Sequence, residues 1–240
     1  MLFLRLPIAL GFAVFLVACG GGGGSASPTA PSATAFPLRA AIDAVTRDGE
    51  TFTLTATGTA ATEATDGRCS GSMRQTSSPA NVSTSFRGQP VLASTHTSTA
   101  TLDSICSSTS ASSTQSTNYY DTRYTPVATV HGDGSYTVWD STPTLPDTAR
   151  VGDSGPIGTM TEYTSAGAVS GSSAYSYVIE ADTASTALFN MVLRYYDTAG
   201  KLSLTSQTRR QLNPEGTAAP VVSWDIQSAE SSGIHLVFRR

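Results

Sequence analysis

The chain has 240 residues, 39% of them hydrophobic and only 13% charged, with a formal net charge of -4. This charge disfavours a nucleic-acid binder, because no positive field is available to release phosphate counterions. The apolar content disfavours an acidic disordered chain, and the length is sufficient for one large or two small domains with a real core. The main oddity is the content of 33 serine and 35 threonine residues.

The N-terminal 18 residues predict a secretory leader. They carry one positive charge at Arg5 and an apolar run from Leu6 to Ala18 that is too short for a relaxed membrane span. Leu16-Val17-Ala18-Cys19 then resembles the lipobox of bacterial lipoproteins, as in the β-rich envelope lipoproteins of Gram-negative bacteria. The resemblance implies cleavage before Cys19 and lipidation of its thiol and amine. Gly20 in place of Asp resembles the residue that permits export to the outer membrane, facing the periplasm or the cell surface.

Residues 19–35 predict a tether. Gly20 to Gly24 indicate a flexible coil, and the Ser, Pro and Ala residues up to Ala35 stiffen it without letting it pack. Its mean reach is about 20 Å from the lipid surface. The same composition is compatible with O-glycans on Ser or Thr, but a bare spacer is the favoured interpretation.

The three cysteines predict one lipid anchor and one disulfide. Once Cys19 is lipidated, Cys69 and Cys106 are left as a pair, and an exported compartment favours their oxidation. The chain-entropy model gives such a bridge about 4 kcal/mol of stabilisation. The segments around the two cysteines contain few large apolar groups, so a small core there would need this crosslink.

The prevailing hydrophobic period is two, which predicts strands. Residues 51–57 alternate threonine with Phe, Leu and Ala, as a half-buried strand does. The other predicted strands are Ala40–Val45, Val82–Phe86, Val91–Leu102, Asn118–Tyr124, Pro126–Val130, Ser135–Asp140, Gly158–Tyr163, Tyr175–Ala181, Ala187–Tyr196, Lys201–Leu212, Val221–Gln227 and Ile234–Arg239. Residues 184–196 also fit a helix, although the hairpin turn that follows favours a strand.

Short turns between these strands predict an all-β fold with little helix. Antiparallel meanders would form a sandwich, a strongly curved sheet or an open barrel. Two prolines near 143–146 suggest a subdomain boundary that separates residues 36–145, with the disulfide, from residues 146–240; a single domain is the alternative.

One motif suggests catalysis. Residues 152–156, Gly-Asp-Ser-Gly-Pro, resemble the nucleophile motif of trypsin-like serine proteases, short by one glycine. The resemblance implies Ser154 as a nucleophile, with His96 as the candidate base. Because the glycine is missing and His96 lacks the family's sequence context, a glycine-rich turn that leads into a strand is the favoured interpretation.

Metal and cofactor binding find little support. The three histidines, His96, His131 and His235, are far apart, and no metal-ligand spacing, phosphate loop or dinucleotide fingerprint is present, so we expect no metal and no cofactor. A carboxylate pair for hydrolysis stays open, with candidates in strand-like contexts at Asp121, Asp140, Glu162 and Glu180.

Aromatic residues are frequent in the middle of the chain: Tyr119, Tyr120, Tyr124, Tyr136, Trp139, Tyr163, Tyr175 and Tyr177. They either fill the core or form an exposed surface for a glycan or a protein. The leading hypothesis is a non-catalytic, lipid-anchored structural or binding module of the envelope, whose partners are the membrane and an envelope protein or glycan. The alternatives are a hydrolase that uses Ser154 or a carboxylate pair, and a binding surface of exposed tyrosines.

Overall fold

The computed structural model describes residues 32–62, 65–103, 111–217, 220–229 and 234–240. In these ranges the chain forms one helix, α1 (Leu38–Asp48), followed by thirteen strands. The strands are β1 (Glu50–Thr62), β2 (Thr65–Ser77), β3 (Val82–Phe86), β4 (Gln89–Leu102), β5 (Ala111–Tyr120), β6 (Pro126–His131), β7 (Tyr136–Trp139), β8 (Ser154–Tyr163), β9 (Val169–Ala181), β10 (Ala187–Tyr196), β11 (Leu202–Leu212), β12 (Val221–Ser228) and β13 (Ile234–Arg239).

Twelve of the strands close into an antiparallel barrel. Most neighbours in the sheet are neighbours in sequence; β1 also pairs with β13, and β2 pairs with β4 to close the ring. Strand β3 is the extra one, pairing with the first residues of β4. The predicted all-β class with antiparallel meanders and little helix is confirmed, and the sheet curves until it closes into a barrel.

Two-residue alternation decides which side chains face the barrel interior. In β1, Phe52 and Leu54 are buried, whereas Thr51, Thr53 and Thr55 are exposed. The same register places Met73 opposite Leu54 in the interior. Hydroxyl side chains therefore cover the outer face of this strand, which accounts for part of the threonine excess.

Helix α1 lies where the sequence predicts a strand. The predicted strand Ala40–Val45 is wrong, because this segment lies inside α1. Its β-branched residues suggested a strand, but Leu38, Ala41 and Ala44 form a buried face at helical spacing. Gly49 ends the helix at φ 71°, and its amide donates to the Val45 carbonyl at 2.9 Å.

Helix α1 lies across one end of the barrel. At its start, the Arg39 guanidinium donates to the Leu145 carbonyl at 2.6 Å, and Phe36 pairs with Ala149. At its end, the Ala80 amide donates to the Thr46 carbonyl at 3.0 Å. A twelve-stranded barrel is wider than the eight-stranded barrels that inward side chains fill, so the helix occupies space that the strands leave.

Strand β2 was not predicted, because its small and polar residues show almost no apolar alternation. The last residues of the predicted strand Asn118–Tyr124 form a turn instead. There the Asp121 carboxylate accepts from the amides of Arg123 and Thr125 at 2.8 and 2.9 Å. The ambiguous segment at residues 184–196 contains strand β10, as favoured. Strands β7 and β8, on either side of the suggested boundary near residue 145, pair with each other.

Candidate functional site

The lipidation and disulfide predictions lie mainly outside the described residues, since neither Cys19 nor Cys106 is among them. The backbone of Cys69 lies in β2 opposite Gly58, but its side chain is not described. At the end of β4, the Asp103 amide donates to the Ser70 carbonyl at 3.0 Å. The chain that leads to Cys106 thus leaves β4 next to Cys69, and the disulfide stays a prediction.

The structure does not bring Ser154 and His96 together. Ser154 pairs with the outward-facing Val178, so its side chain lies on the outer face. His96 pairs with Ser77 on the inner face, and three strands separate β4 from β8 along the wall. The Ser77 hydroxyl and the Asn118 amide lie 2.9 and 3.0 Å from the two ring nitrogens of His96. His96 is therefore not positioned to act as the base for Ser154.

The start of the Gly-Asp-Ser-Gly-Pro segment forms a tight turn, and β8 begins at its serine, Ser154. The Asp153 amide donates to the Arg150 carbonyl at 3.0 Å, while the Arg150 amide donates to the Asp153 carboxylate at 2.8 Å. Gly152 takes a positive φ of 96°, which favours glycine. Gly152 thus lies in a turn, as expected, but Ser154, Gly155 and Pro156 belong to the strand, which begins before the predicted Gly158.

Three of the four candidate carboxylates have structural partners outside the interior. Asp121 stabilises the β5–β6 turn, and Asp140 accepts from two threonine hydroxyls at 2.6 Å each. Glu180 binds the Arg209 guanidinium at 2.8 Å on the outer face. Glu162 alone of these four faces the barrel interior, since its register partners Thr137 and Gly171 lie on the inner side. The structure does not assemble these four residues into a catalytic pair.

The barrel encloses a cavity of about 420 Å³ between α1 and the strands. Its apolar and aromatic lining comprises Ile42, Val45, Phe52, Tyr120, Trp139, Leu145, Ile157, Tyr175, Phe189, Met191, Leu193, Tyr195, Val221 and Trp224. Its polar lining includes Arg39, Asp43, Glu50, Gln75, Asn118, Thr208 and Arg210. An apolar cavity with a few convergent polar groups is the usual form of a small-molecule site, and the volume lies in the usual range of about 300 to 1,000 Å³.

A buried ion pair lies beside the cavity. The Arg210 guanidinium contacts both oxygens of Glu50, one of them at 2.9 Å, and the two side chains are only 11% and 17% exposed. Asp43 of α1 also lines the cavity, and burial raises its pKa against the opposing effect of Arg39. The helix end of the interior thus holds polar groups at the edge of an apolar chamber.

A hydrogen-bonded row stiffens the wall from β2 to β6. The Asn118 amide nitrogen is 3.0 Å from His96 Nε2, and its oxygen accepts from the Thr129 hydroxyl at 2.9 Å. Because the Asn118 NH₂ group donates, His96 Nε2 accepts and Nδ1 carries the proton toward the Ser77 hydroxyl. Burial lowers the pKa of His96, which favours this neutral form.

A second cavity of about 220 Å³ lies toward the end of the barrel opposite the helix. It shares Thr129, Tyr175 and Tyr195 with the larger cavity, and Glu162 lines it. Burial raises the pKa of Tyr195 to about 12 and that of Tyr175 further still. Both hydroxyls therefore stay protonated near neutrality, as hydrogen-bond donors on the wall that the two cavities share.

Some of the central tyrosines lie on the outer face. Tyr136 and Tyr163 stack with ring centroids 4.8 Å apart, and Phe86 stacks on Tyr119 at 5.1 Å. The guanidinium carbon of Arg87 lies 5.1 to 5.7 Å from the rings of Phe86, Tyr136 and Tyr163. The predicted aromatic set therefore divides between the core, the cavity and this outer aromatic cluster.

Sequence reasoning missed the Arg210–Glu50 pair and the cavity, because both depend on barrel closure. Within the described ranges no three His, Cys, Asp or Glu side chains come together as a metal site requires, and no helix is long and apolar enough to cross a membrane. No protein-family model, curated protein or solved structure matches the chain.

Proposed function

We propose that the chain is a lipid-anchored binding protein of the bacterial envelope that holds a small, largely apolar molecule inside its barrel. The observation that carries this proposal is the cavity of about 420 Å³ with its aromatic lining. A cavity of about 150 Å³ is sufficient for benzene, so this one suits a ligand of roughly 15 to 20 non-hydrogen atoms. The proposed role is non-catalytic, and the position of the candidate nucleophile and base on opposite faces of the wall supports it.

The anchor rests on the lipobox-like residues up to Cys19 and on the tether that follows. Acyl chains on Cys19 at about 0.8 kcal/mol per buried methylene would hold the protein firmly at the outer membrane. Globomycin treatment or Cys19→Ala should abolish acylation and move the protein out of the membrane fraction. Retention in the membrane fraction after both changes would contradict the anchor.

Ligand binding is tested with N-phenyl-1-naphthylamine, an uncharged probe that brightens in apolar surroundings. The chain from Gly20 onward keeps all the described residues and should bind one probe saturably at micromolar concentration. Thr208→Phe places a ring in the cavity and should weaken binding at least about tenfold, which corresponds to about 1.4 kcal/mol. Thr205→Phe lies on the same strand but faces outward, and serves as the matched control. Equal weakening by both changes would contradict binding in the interior.

A second candidate function, recognition of a glycan or a partner protein, is favoured by the outer aromatic cluster. Val82 is 59% exposed at the first position of β3, the strand that ends at Phe86. Val169 is 56% exposed and pairs with Tyr163. Cosedimentation with purified peptidoglycan sacculi tests this candidate. Binding that is lost in Tyr163→Ser but retained in Thr208→Phe would assign it to the outer face.

A further inference from the structure

Glu162 occupies an unusual position on the inner face of the barrel. It lies near the end of β8, with Thr137 on one side and Gly171 on the other. A Cβ atom on Gly171 would lie 3.4 Å from Glu162 Oε2 and only 2.5 Å from the Tyr196 carbonyl oxygen. The glycine therefore gives the carboxylate room to lie against the wall and to face the smaller cavity.

One oxygen of this carboxylate has no protein partner. Glu162 Oε1 is buried and accepts no hydrogen bond. Burial raises the pKa of this carboxylate, and the neighbouring Ser173 side chain opposes the rise. The other cavity-lining carboxylates have arginines near them: Glu50 binds Arg210, and Asp43 lies in the field of Arg39. Among the residues that the structure describes, the basic side chain that lowers the pKa of Glu162 is His131. A buried oxygen without a donor is costly and marks a place where a ligand can donate.

The surroundings of Glu162 are aromatic. Tyr175 and Tyr195 are close enough for its charge to raise the pKa of each hydroxyl. Both tyrosines line the smaller and the larger cavity, and Trp139 packs against Tyr175 with ring centroids 4.9 Å apart. A molecule that spans both cavities would have one end at the carboxylate and its body between aromatic rings.

From this arrangement we infer that Glu162 binds the ammonium group of a hydrophobic amine whose apolar body occupies the larger cavity. An ammonium group donates to the unpartnered Oε1 and compensates the charge that burial disfavours. Aromatic faces attract a cation and repel an anion. The net charge of -4 likewise favours a cationic ligand over an anionic one. A hydroxyl would satisfy the oxygen without balancing its charge. The inference rests on the proposed interior binding site and names its ligand class.

Two fluorescent probes of matched shape test this inference. Dansylcadaverine carries a terminal ammonium, and N-hexyl dansylamide replaces it with a methyl group. Energy transfer from Trp139 and Trp224, the two tryptophans of the chain and both in the cavity lining, reports binding in the interior. For the chain from Gly20 onward at pH 7.5, we expect the amine to bind at least about tenfold more tightly than the neutral probe.

Glu162→Gln removes the charge with little change of shape, and Glu215→Gln in the exposed β11–β12 turn is the control. We expect the first variant to lose the preference for the amine while it binds the neutral probe as before, and the second to behave as the parent. Equal affinity of the parent for both probes, or equal weakening of both in Glu162→Gln, would overturn the role of Glu162. Binding of neither probe to the folded parent would instead contradict the proposed function itself.

Discussion

Two adjacent arginines on β11 provide a stringent test of which side chains the barrel encloses. Arg209 points outward and binds Glu180, and the two side chains are 25% and 30% exposed. Arg210 points inward and binds Glu50, with exposures of 11% and 17%. We predict that Glu50→Gln destabilises the protein much more than Glu180→Gln, although both changes remove one carboxylate from an arginine.

The magnitude follows from the geometry. At 2.9 Å and an effective dielectric constant of about 20, the attraction between Arg210 and Glu50 is about 6 kcal/mol, which desolvation of the two ions offsets in large part. Removing one partner of a buried pair costs about 3 to 5 kcal/mol, because the other charge stays in the interior. In Glu50→Gln the Gln oxygen still accepts a hydrogen bond from Arg210, so we expect a cost near the lower end of this range, about 3 kcal/mol. For the half-exposed Glu180 we expect about 1 kcal/mol or less.

The measurement is urea unfolding of the chain from Gly20 onward, monitored by the fluorescence of Trp139 and Trp224. The two variants should differ by about 2 to 3 kcal/mol in unfolding free energy at unchanged m-values. Combining Glu50→Leu with Arg210→Met removes both charges together and should recover most of the loss. Equal costs for Glu50→Gln and Glu180→Gln would refute the assignment of Glu50 to a buried interior.

Three further predictions address the helix end, the inner wall and the cysteines. Gly49→Ala should lower the free energy of unfolding in urea by about 2 kcal/mol or more, because φ is 71° and a Cβ would lie 2.5 Å from a carbonyl oxygen. Gly88→Ala is the control: φ is 79° but the space around it is open, so the cost should be only about 1 kcal/mol. Equal costs would exclude the close approach of the carbonyl oxygen to Gly49. Burial lowers the pKa of His96 in the folded state, so the unfolded state binds more protons below about pH 6.5. The free energy of unfolding should therefore fall below that pH by up to about 1.4 kcal/mol per pH unit. His96→Gln should remove this part of the pH slope, and an unchanged slope would contradict the buried position of His96. Reduction of a Cys69–Cys106 bridge should lower stability by up to about 4 kcal/mol, and alkylation of both thiols without reductant would show that the bridge is absent.

The strands were predictable where one face is apolar and the other polar. The bounds of β3, β10 and β13 agree with the prediction, because alternation or a dense apolar run marks each of them. Strand β2 escaped notice because Met73 is its one large apolar residue, and its pairing with β1 and β4 stabilises it instead. Helix α1 was mistaken for a strand because a short segment with Ile and Val fits both periods, and only the barrel end explains its buried face.

The interior site was harder to predict than the strands. Sequence analysis named Glu162 as one of four candidate carboxylates but did not predict which way its side chain faces. In the structure, alternation along β8 places it on the face of the buried Met160. This alternation is the signal that could have distinguished it from the other three. The cavity itself depends on the pairing of β1 with β13 and of β2 with β4, which joins distant parts of the chain and leaves no local pattern.

The position of the chain entry relates the proposed anchor to the proposed site. Arg150 donates to the Ala33 carbonyl at 3.0 Å, and Phe36 pairs with Ala149, so the chain enters the barrel beside the start of α1. Glu162 lies toward the opposite end of the strands. If Cys19 carries a lipid as proposed, a tether of about 20 Å mean reach would hold the helix end near the membrane. A ligand would then approach Glu162 from the end of the barrel that lies farthest from the lipid. At the other end, α1 would limit how far the apolar body of the ligand enters.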